Sequence, residues 1–334
     1  MPAILDAPLW KGTVNSTPAQ TREQLEHVRC NLCGADDGRV RIPSTLYRGN
    51  HSDWSAYTCT SGGYGYHGPI VQCQQCGLVY ADPRPHSGDV LDIYEAVEDP
   101  LYVEEREGRL LTFEHHLRPM EKHTGPARHR PLLDVGAHTG VFVDIATRHG
   151  WDAWGVEPST WAVAQAHKQG LQMEVGTLES VAFPNEKFDV VTMWDVIEHV
   201  PDPQHTLEAA WRVLKPGGLL VVHTMDINSL FSRLIGKRWP WYMEMHLFYF
   251  SRRTLGAMLA KTGFDVLWMG AQGRYLQTGY LASRITALMS AIGRPLEKLA
   301  TRLKLRELPV RINLGDLFTT YARKTRRPTE SDIT

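Results

Sequence analysis

The spacing of apolar residues changes along this 334-residue chain and separates a regular half from an irregular one. From residue 131 onward, short apolar runs alternate with stretches in which apolar residues recur at helical spacing. The alternation predicts βαβ units and a parallel sheet, with strands at 132–135, 151–156, 171–175, 188–193, 219–223, 264–269 and 317–323. Gly136 and Gly140 follow the first strand, and a glycine turn before a helix predicts a ligand-binding loop.

The pattern outside this α/β half indicates how the chain is divided. Apolar residues at helical spacing predict helices before residue 125 and again near the C-terminus. We expect a flexible leader, a cysteine module, a helical linker, an α/β domain and a polar tail, at 1–26, 27–80, 81–130, 131–325 and 326–334. A helical insertion is expected at 227–315. The leader lacks the basic start and apolar block of a signal peptide, so a cytoplasmic protein is expected.

Two Cys-x-x-Cys-Gly sequences bracket the cysteine module. They supply four thiols, from Cys30, Cys33, Cys73 and Cys76. Paired knuckles of this kind favour a tetrahedral Zn²⁺ site, and a closed four-cysteine site is structural. A redox pair or four unligated thiols are the alternatives.

Charge narrows the range of partners. The formal net charge is -1, and residues 30–80 hold three basic and three acidic residues, so no nucleic acid partner is expected. Residues 274–306 hold seven basic residues and one acid on amphipathic segments. This stretch suggests a lid, a homodimer contact, or peripheral contact of residues 275–306 with the inner face of the membrane.

The motifs of the α/β half resemble those of class I S-adenosylmethionine-dependent methyltransferases. The likeness rests on Leu-Asp-Val-Gly-Ala-His-Thr-Gly (133–140), Phe-Asp-Val-Val-Thr-Met-Trp-Asp-Val-Ile-Glu-His (188–199) and Arg-Val-Leu-Lys-Pro-Gly-Gly (212–218). It implies a Rossmann-like seven-stranded sheet with an antiparallel last strand, and S-adenosyl-L-methionine as cofactor. The cofactor residues it implies are Asp134, Gly136, Ala137, His138, Gly140, Glu157, Pro158, Thr177, Leu178, Glu179, Trp194 and Asp195. His138 replaces the usual central glycine, so its side chain must point away from the cofactor or stack beside it.

The segment Asp195-Val-Ile-Glu198-His199 also resembles quinone-ring O-methyltransferases, in which a similar acid-x-x-Glu-His cluster can hold a divalent metal. His199 could instead pack or cap a helix, and we favour that alternative.

The cysteine module resembles that of deoxysugar C-methyltransferases, notably over residues 73–85. Those enzymes carry a Tyr, Glu and His group after the fifth strand. This chain offers Tyr242, Glu244 and His246, with Glu244 shifted by one place. His246 is the best candidate base, with Tyr242, Glu244 and His199 as further catalytic candidates, although His246 could instead anchor a helix start.

These features predict methyl transfer to a small-molecule, sugar, glycan or lipid-linked acceptor. The alternatives are an RNA methyltransferase that binds RNA through the zinc module, a non-catalytic cofactor-binding protein and a dehydrogenase.

Overall fold

The structure, a computed structural model, describes residues 25–46, 54–61, 63–288 and 290–325. Most of the predicted leader (1–24) and the whole predicted tail (326–334) lie outside the described residues. Within the described part, no helix has both the length and the apolar composition that crossing a membrane requires.

The N-terminal third combines short strands with the predicted helices. Its strands are β1 (Leu25–Glu26), β2 (Gly38–Ile42), β3 (Ile70–Cys73), β4 (Val79–Ala81) and β5 (Arg84–Pro85). Its helices are α1 (Ser87–Ala96), α2 (Pro100–Glu104) and α3 (Arg106–Thr124), preceded by a short 3-10 turn at Trp54–Tyr57. Asp99 caps α2 by accepting a hydrogen bond from the backbone of Tyr102, and Pro100 occupies the first helical position.

The remaining described elements include ten strands, of which seven were predicted from the sequence and three short ones were not. In chain order they are β6 (Pro131–Val135), α4 (Val141–Arg148), β7 (Asp152–Glu157), α5 (Thr160–His167), β8 (Gln172–Val175), β9 (Phe188–Trp194), α6 (Pro203–Val213), β10 (Leu214–Met225), α7 (Leu230–Ile235), β11 (Phe248–Tyr249), α8 (Arg252–Lys261), β12 (Phe264–Ala271), β13 (Arg274–Gln277), α9 (Thr278–Leu288), α10 (Ser290–Arg302), β14 (Pro309–Ile312) and β15 (Leu317–Lys324). Strand β10 starts five residues before the predicted strand, and its register shifts between Leu214 and Leu219. The predicted Lys215–Gly218 stop is therefore an irregularity within a longer strand.

Seven strands form the central sheet in the order β12-β15-β10-β9-β6-β7-β8. Strand β15 runs antiparallel to both of its neighbours, and the other pairs are parallel. The Rossmann-like α/β fold with an antiparallel final strand is thus confirmed. The strand order reverses between β6 and β9, and ligands of open α/β sheets bind outside the carboxyl ends of the strands at such a point.

The sheet is covered by apolar layers on both faces because successive strand residues point to opposite sides. Leu133 packs in a core with α6 and α8, whereas Leu132 packs in a core with α3 and α4. The first core also contains Cys30 and Cys73, so the cysteine module shares its interior with the α/β domain.

Hydrogen bonds fasten the module to the α/β domain as well. Strand β11 pairs with β4 of the module, and the side chains of Arg253 and Lys261 donate to the carbonyls of Cys76 and Leu32. Within 227–315, the helices α9 and α10 lie between β13 and β14, while β12 belongs to the main sheet. The expected membrane contact and homodimer through 275–306 stay predictions.

Candidate functional site

The four predicted zinc ligands meet at one end of the module. Their Sγ atoms lie within 4.8 Å of one another, with Cys30 3.4 Å from Cys76 and Cys33 3.5 Å from Cys73. Gly34 and Gly77 follow the knuckles with φ of 76° and 78°, a region that glycine adopts without strain. Zn–S bonds of about 2.3 Å in a tetrahedron separate the sulfurs by about 3.8 Å, so this four-cysteine cluster fits a zinc ion.

The glycine loop after β6 depends on both of its predicted glycines. Gly136 and Gly140 have φ of 66° and 73°, and a Cβ on Gly136 would lie 2.6 Å from a methyl group of Val196. Asp134, before the loop, is buried and accepts a hydrogen bond of 2.6 Å from the Thr192 hydroxyl. Burial raises the pKa of Asp134 to about 8. Asp134 thus supports the loop from within the sheet, and its direct contact with a cofactor stays a prediction.

Glu157 ends β7 beside the loop. One carboxylate oxygen accepts from the backbone N–H of His138 at 2.9 Å, and the other accepts from Ser159 N–H at 3.0 Å. Burial raises the pKa of Glu157 to about 6, although both hydrogen bonds oppose the change. A carboxylate oxygen can accept more than one hydrogen bond, so Glu157 can still receive the hydroxyls of a ligand.

The His138 side chain stacks against an aromatic ring of the linker. Its ring centroid lies 3.7 Å from that of Tyr102, with an interplanar angle of 27°. The guanidinium of Arg109 lies 3.5 Å from the Tyr102 centroid on the same stack. A single sequence gives no signal for this arrangement, because α2, α3 and the loop meet only in the folded chain.

The other predicted cofactor residues differ in their surroundings. The Glu179 carboxylate accepts a 2.5 Å hydrogen bond from the Thr206 hydroxyl of α6, and the side chain of Leu178 is buried. Trp194 is buried against Phe142 and His116. No hydrogen bond shows a ligand role for Ala137, Pro158 or Thr177, and their cofactor contacts stay predictions.

Asp195 follows β9 and faces a guanidinium. Both of its carboxylate oxygens lie 3.2 Å from Nη2 of Arg274. Burial would raise its pKa, but Arg274 and nearby histidines, His223 foremost, hold the pKa of Asp195 below its usual value. The sequence grouped Asp195 with Glu198 and His199 as one set of ligand candidates. In the structure Asp195 pairs with Arg274, and the ligand role of the three residues stays a hypothesis.

Glu198 and His199 meet His246, and we call these three residues the histidine cluster. One ligand atom from each lies within 4.8 Å of the others, and the imidazole centroids are 4.7 Å apart. His246 Nδ1 lies 2.7 Å from the Trp241 carbonyl, and His199 Nδ1 lies 2.9 Å from that of Met245. Because a carbonyl only accepts, each Nδ1 carries the hydrogen and each Nε2 keeps its lone pair.

Burial sets the protonation of the histidine cluster. It lowers the pKa of His246 to about 3, with His199 adding to the effect, and it also lowers the pKa of His199. Burial, and then the Asp195 carboxylate, raise the pKa of Glu198 to about 8, although Thr224 donates to Glu198 at 2.9 Å. Two neutral imidazoles and a carboxyl group can exchange protons, and they also form a ligand set of the type that binds divalent ions.

The other two sequence-predicted catalytic candidates near His246 differ in burial. The Tyr242 ring is buried against Trp239 and Tyr249, while Glu244 is half-buried. By contrast, the Tyr94 hydroxyl of α1 lies 3.1 Å from His199 Nδ1. Only the fold joins Tyr94 to His199, because the two residues are 105 positions apart in the chain.

Part of the chain matches a known protein family. Residues 102–268 match the family model described as a methyltransferase domain. The chain is 36% identical over 106 residues to a ubiquinone biosynthesis O-methyltransferase of Alkalilimnicola ehrlichii, covering 30% of this chain and 43% of the relative. It is 37% identical over 116 residues to the protein of the same name from Cereibacter sphaeroides, covering 32% and 47%. The chain thus spans about half the length of these relatives.

Among solved structures, an S-adenosylmethionine-dependent methyltransferase of Thermotoga maritima aligns with a TM-score of 0.43 and 21% identity. That alignment covers 66% of this chain and 91% of the other.

Proposed function

Because this chain belongs to the methyltransferase-domain family, we propose that it transfers the methyl group of S-adenosyl-L-methionine to a small-molecule acceptor. A sugar, a glycan or a lipid-linked compound is the class that we expect. One observation carries the proposal: at a single sheet edge, the glycine loop and Glu157 lie next to the segment 195–199 that leads to His246.

The residues beside β6 and β7 suit the cofactor. Among the described residues, two backbone N–H groups donate to the buried Glu157 carboxylate, and the two hydroxyls of a ribose would offset a further part of its desolvation. The Gly136 turn exposes backbone without a side chain, and Leu178 supplies an apolar neighbour for an adenine. When bound, the cofactor supplies an electrophilic methyl group.

His246 suits the role of the base that takes a proton from the acceptor. Its Nδ1–H is held by the Trp241 carbonyl, so the basic Nε2 has a fixed direction. Burial lowers the pKa of His246 to about 3, so its imidazole is neutral at physiological pH and Nε2 is unprotonated.

Binding of S-adenosylhomocysteine tests the cofactor placement. We expect the wild type to bind it and Glu157→Ala to bind about 10- to 100-fold more weakly, the equivalent of about 1.5–3 kcal/mol for charged hydrogen bonds. Isothermal titration calorimetry measures both. Glu174→Ala, an exposed acid on the next strand, is the matched control and should bind like the wild type. Equal affinity of Glu157→Ala and the wild type would disprove this placement.

Label transfer tests the acceptor class. Methyl-labelled cofactor would be offered with a prenylated catechol, nucleotide-linked sugars, lipid-linked glycans and total RNA, each separately. Labelling of a sugar or lipid-linked compound supports the proposal, whereas labelling of RNA alone favours the RNA methyltransferase. Cofactor binding without any labelling favours the non-catalytic alternative.

A further inference from the structure

Three side chains from separate segments meet beside the glycine loop. Cys59 comes from the segment after the 3-10 turn, Asp99 is the N-cap of α2, and His138 lies in the loop itself. A thiol, a carboxylate oxygen and an imidazole nitrogen of these residues lie within 4.8 Å of one another. Sulfur, nitrogen and oxygen in this combination are ligands of Zn²⁺ and similar ions.

One ring nitrogen of His138 lacks a hydrogen-bond partner among the described residues. This atom is Nδ1, and the side chain of His138 is only 7% exposed. A buried polar atom without a partner costs free energy, and a bound ion is one way of satisfying it.

The Asp99 carboxylate is buried and already held in position. One oxygen accepts from the Thr60 hydroxyl at 2.5 Å and from Tyr102 N–H at 3.2 Å, and the other accepts from Thr60 N–H at 3.0 Å. Hydrogen bonds of this kind orient carboxylate ligands in metal sites. The Cys59 side chain is exposed, so an ion has access from solvent.

We propose that Cys59, Asp99 and His138 form a second metal site, which takes a thiophilic divalent ion such as Zn²⁺. As the metal–sulfur bond forms, the Cys59 S–H bond breaks and its proton goes to solvent. Three protein ligands leave a fourth position for water, unlike the closed four-cysteine cluster. The ion would link the segment that contains Cys59 and the start of α2 at Asp99 to the glycine loop. This site does not depend on the proposed methyl transfer.

Cobalt is the probe, because a cobalt–thiolate bond absorbs in the near ultraviolet. The full chain is first given one equivalent of Zn²⁺ for the four-cysteine cluster and is then titrated with Co²⁺. We expect one further ion with a thiolate band, no band in Cys59→Ala, and about 10- to 100-fold weaker binding in His138→Asn. A chelating dye for released zinc identifies any cobalt that replaces zinc in the four-cysteine cluster.

His246→Asn is the matched control, because it removes a ligand candidate of the histidine cluster and should leave the thiolate band unchanged. Cys59→Ala changes an exposed side chain, and an unaltered melting temperature would show that the variant folds. Absence of a thiolate band in the wild type, or its persistence in Cys59→Ala without zinc release, would overturn the proposal.

Discussion

The four-cysteine cluster and the histidine cluster both bring ligand atoms within 4.8 Å of one another, but their surroundings differ. The cysteines lie in two knuckle turns of one short module, and their four thiols could fill all four ligand positions of a zinc ion. In the histidine cluster, backbone carbonyls hold both Nδ1 atoms, so that two basic Nε2 atoms remain. A closed set of ligands suits a structural role, whereas an open set suits chemistry.

Hydrogen-bonded strands also connect the two clusters. Strand β4 begins three residues after Cys76 and pairs with β11, which begins two residues after His246. The carbonyl of Glu198 accepts hydrogen bonds from the backbone of Leu247 and Phe248. We therefore expect that loss of the cysteine module displaces His246.

Removing a zinc ligand should have the largest effect. Cys73→Ser should lose the metal and about 3–5 kcal/mol of unfolding free energy, because Cys73 is buried in the shared core and the module fastens β11. Metal analysis and thermal unfolding measure this effect. Glu174→Gln, at an exposed acid of β8, is the control and should keep the zinc content and the melting temperature of the wild type. A stable Cys73→Ser protein would mean that the module does not depend on its metal.

Removing the proposed base should have the next largest effect. His246→Asn should lower kcat about 10²- to 10⁴-fold with the acceptor that the label screen identifies, because the base is lost. Affinity for S-adenosylhomocysteine, measured by calorimetry, should stay within about two-fold of the wild type. His205→Asn on the exposed face of α6 controls for the substitution itself. Unchanged turnover in His246→Asn would show that His246 is not the base and has a packing role.

Neutralising Glu198 should have the smallest effect and a distinct pH dependence. The folded-state pKa of Glu198 is raised to about 8, above the ordinary value of 4.5. The stability that its protonated form contributes is therefore present below pH 4.5 and is lost as the pH rises toward 8. Glu198→Gln, which resembles the protonated acid, should leave stability unchanged within about 1 kcal/mol at pH 5 and increase it at pH 9.

Chemical denaturation at both pH values measures the Glu198→Gln effect, and exposed Glu174→Gln is its control. If Glu198→Gln is instead destabilised at pH 9 and regains wild-type behaviour only when divalent ions are removed from both proteins, Glu198 is a metal ligand.

The sequence predicted the features that depend on residues close together in the chain. Short apolar runs predicted the seven strands of the central sheet to within a few residues, apart from the early start of β10 at Leu214. Gly136 and Gly140 gave the loop, because a positive φ is readily adopted only by glycine. The cysteine pairs gave the four-cysteine cluster, because each knuckle is a local turn.

Only the tertiary structure decided which distant side chains meet. It pairs Asp195 with Arg274 and leaves Glu198 and His199 to His246, a residue 47 positions after His199. It also stacks Tyr102 on His138 and brings Cys59 beside Asp99. These contacts arise from the packing of the module and linker over the sheet edge. The residues in contact are separated by dozens of positions, so no local spacing pattern in the sequence indicates these contacts.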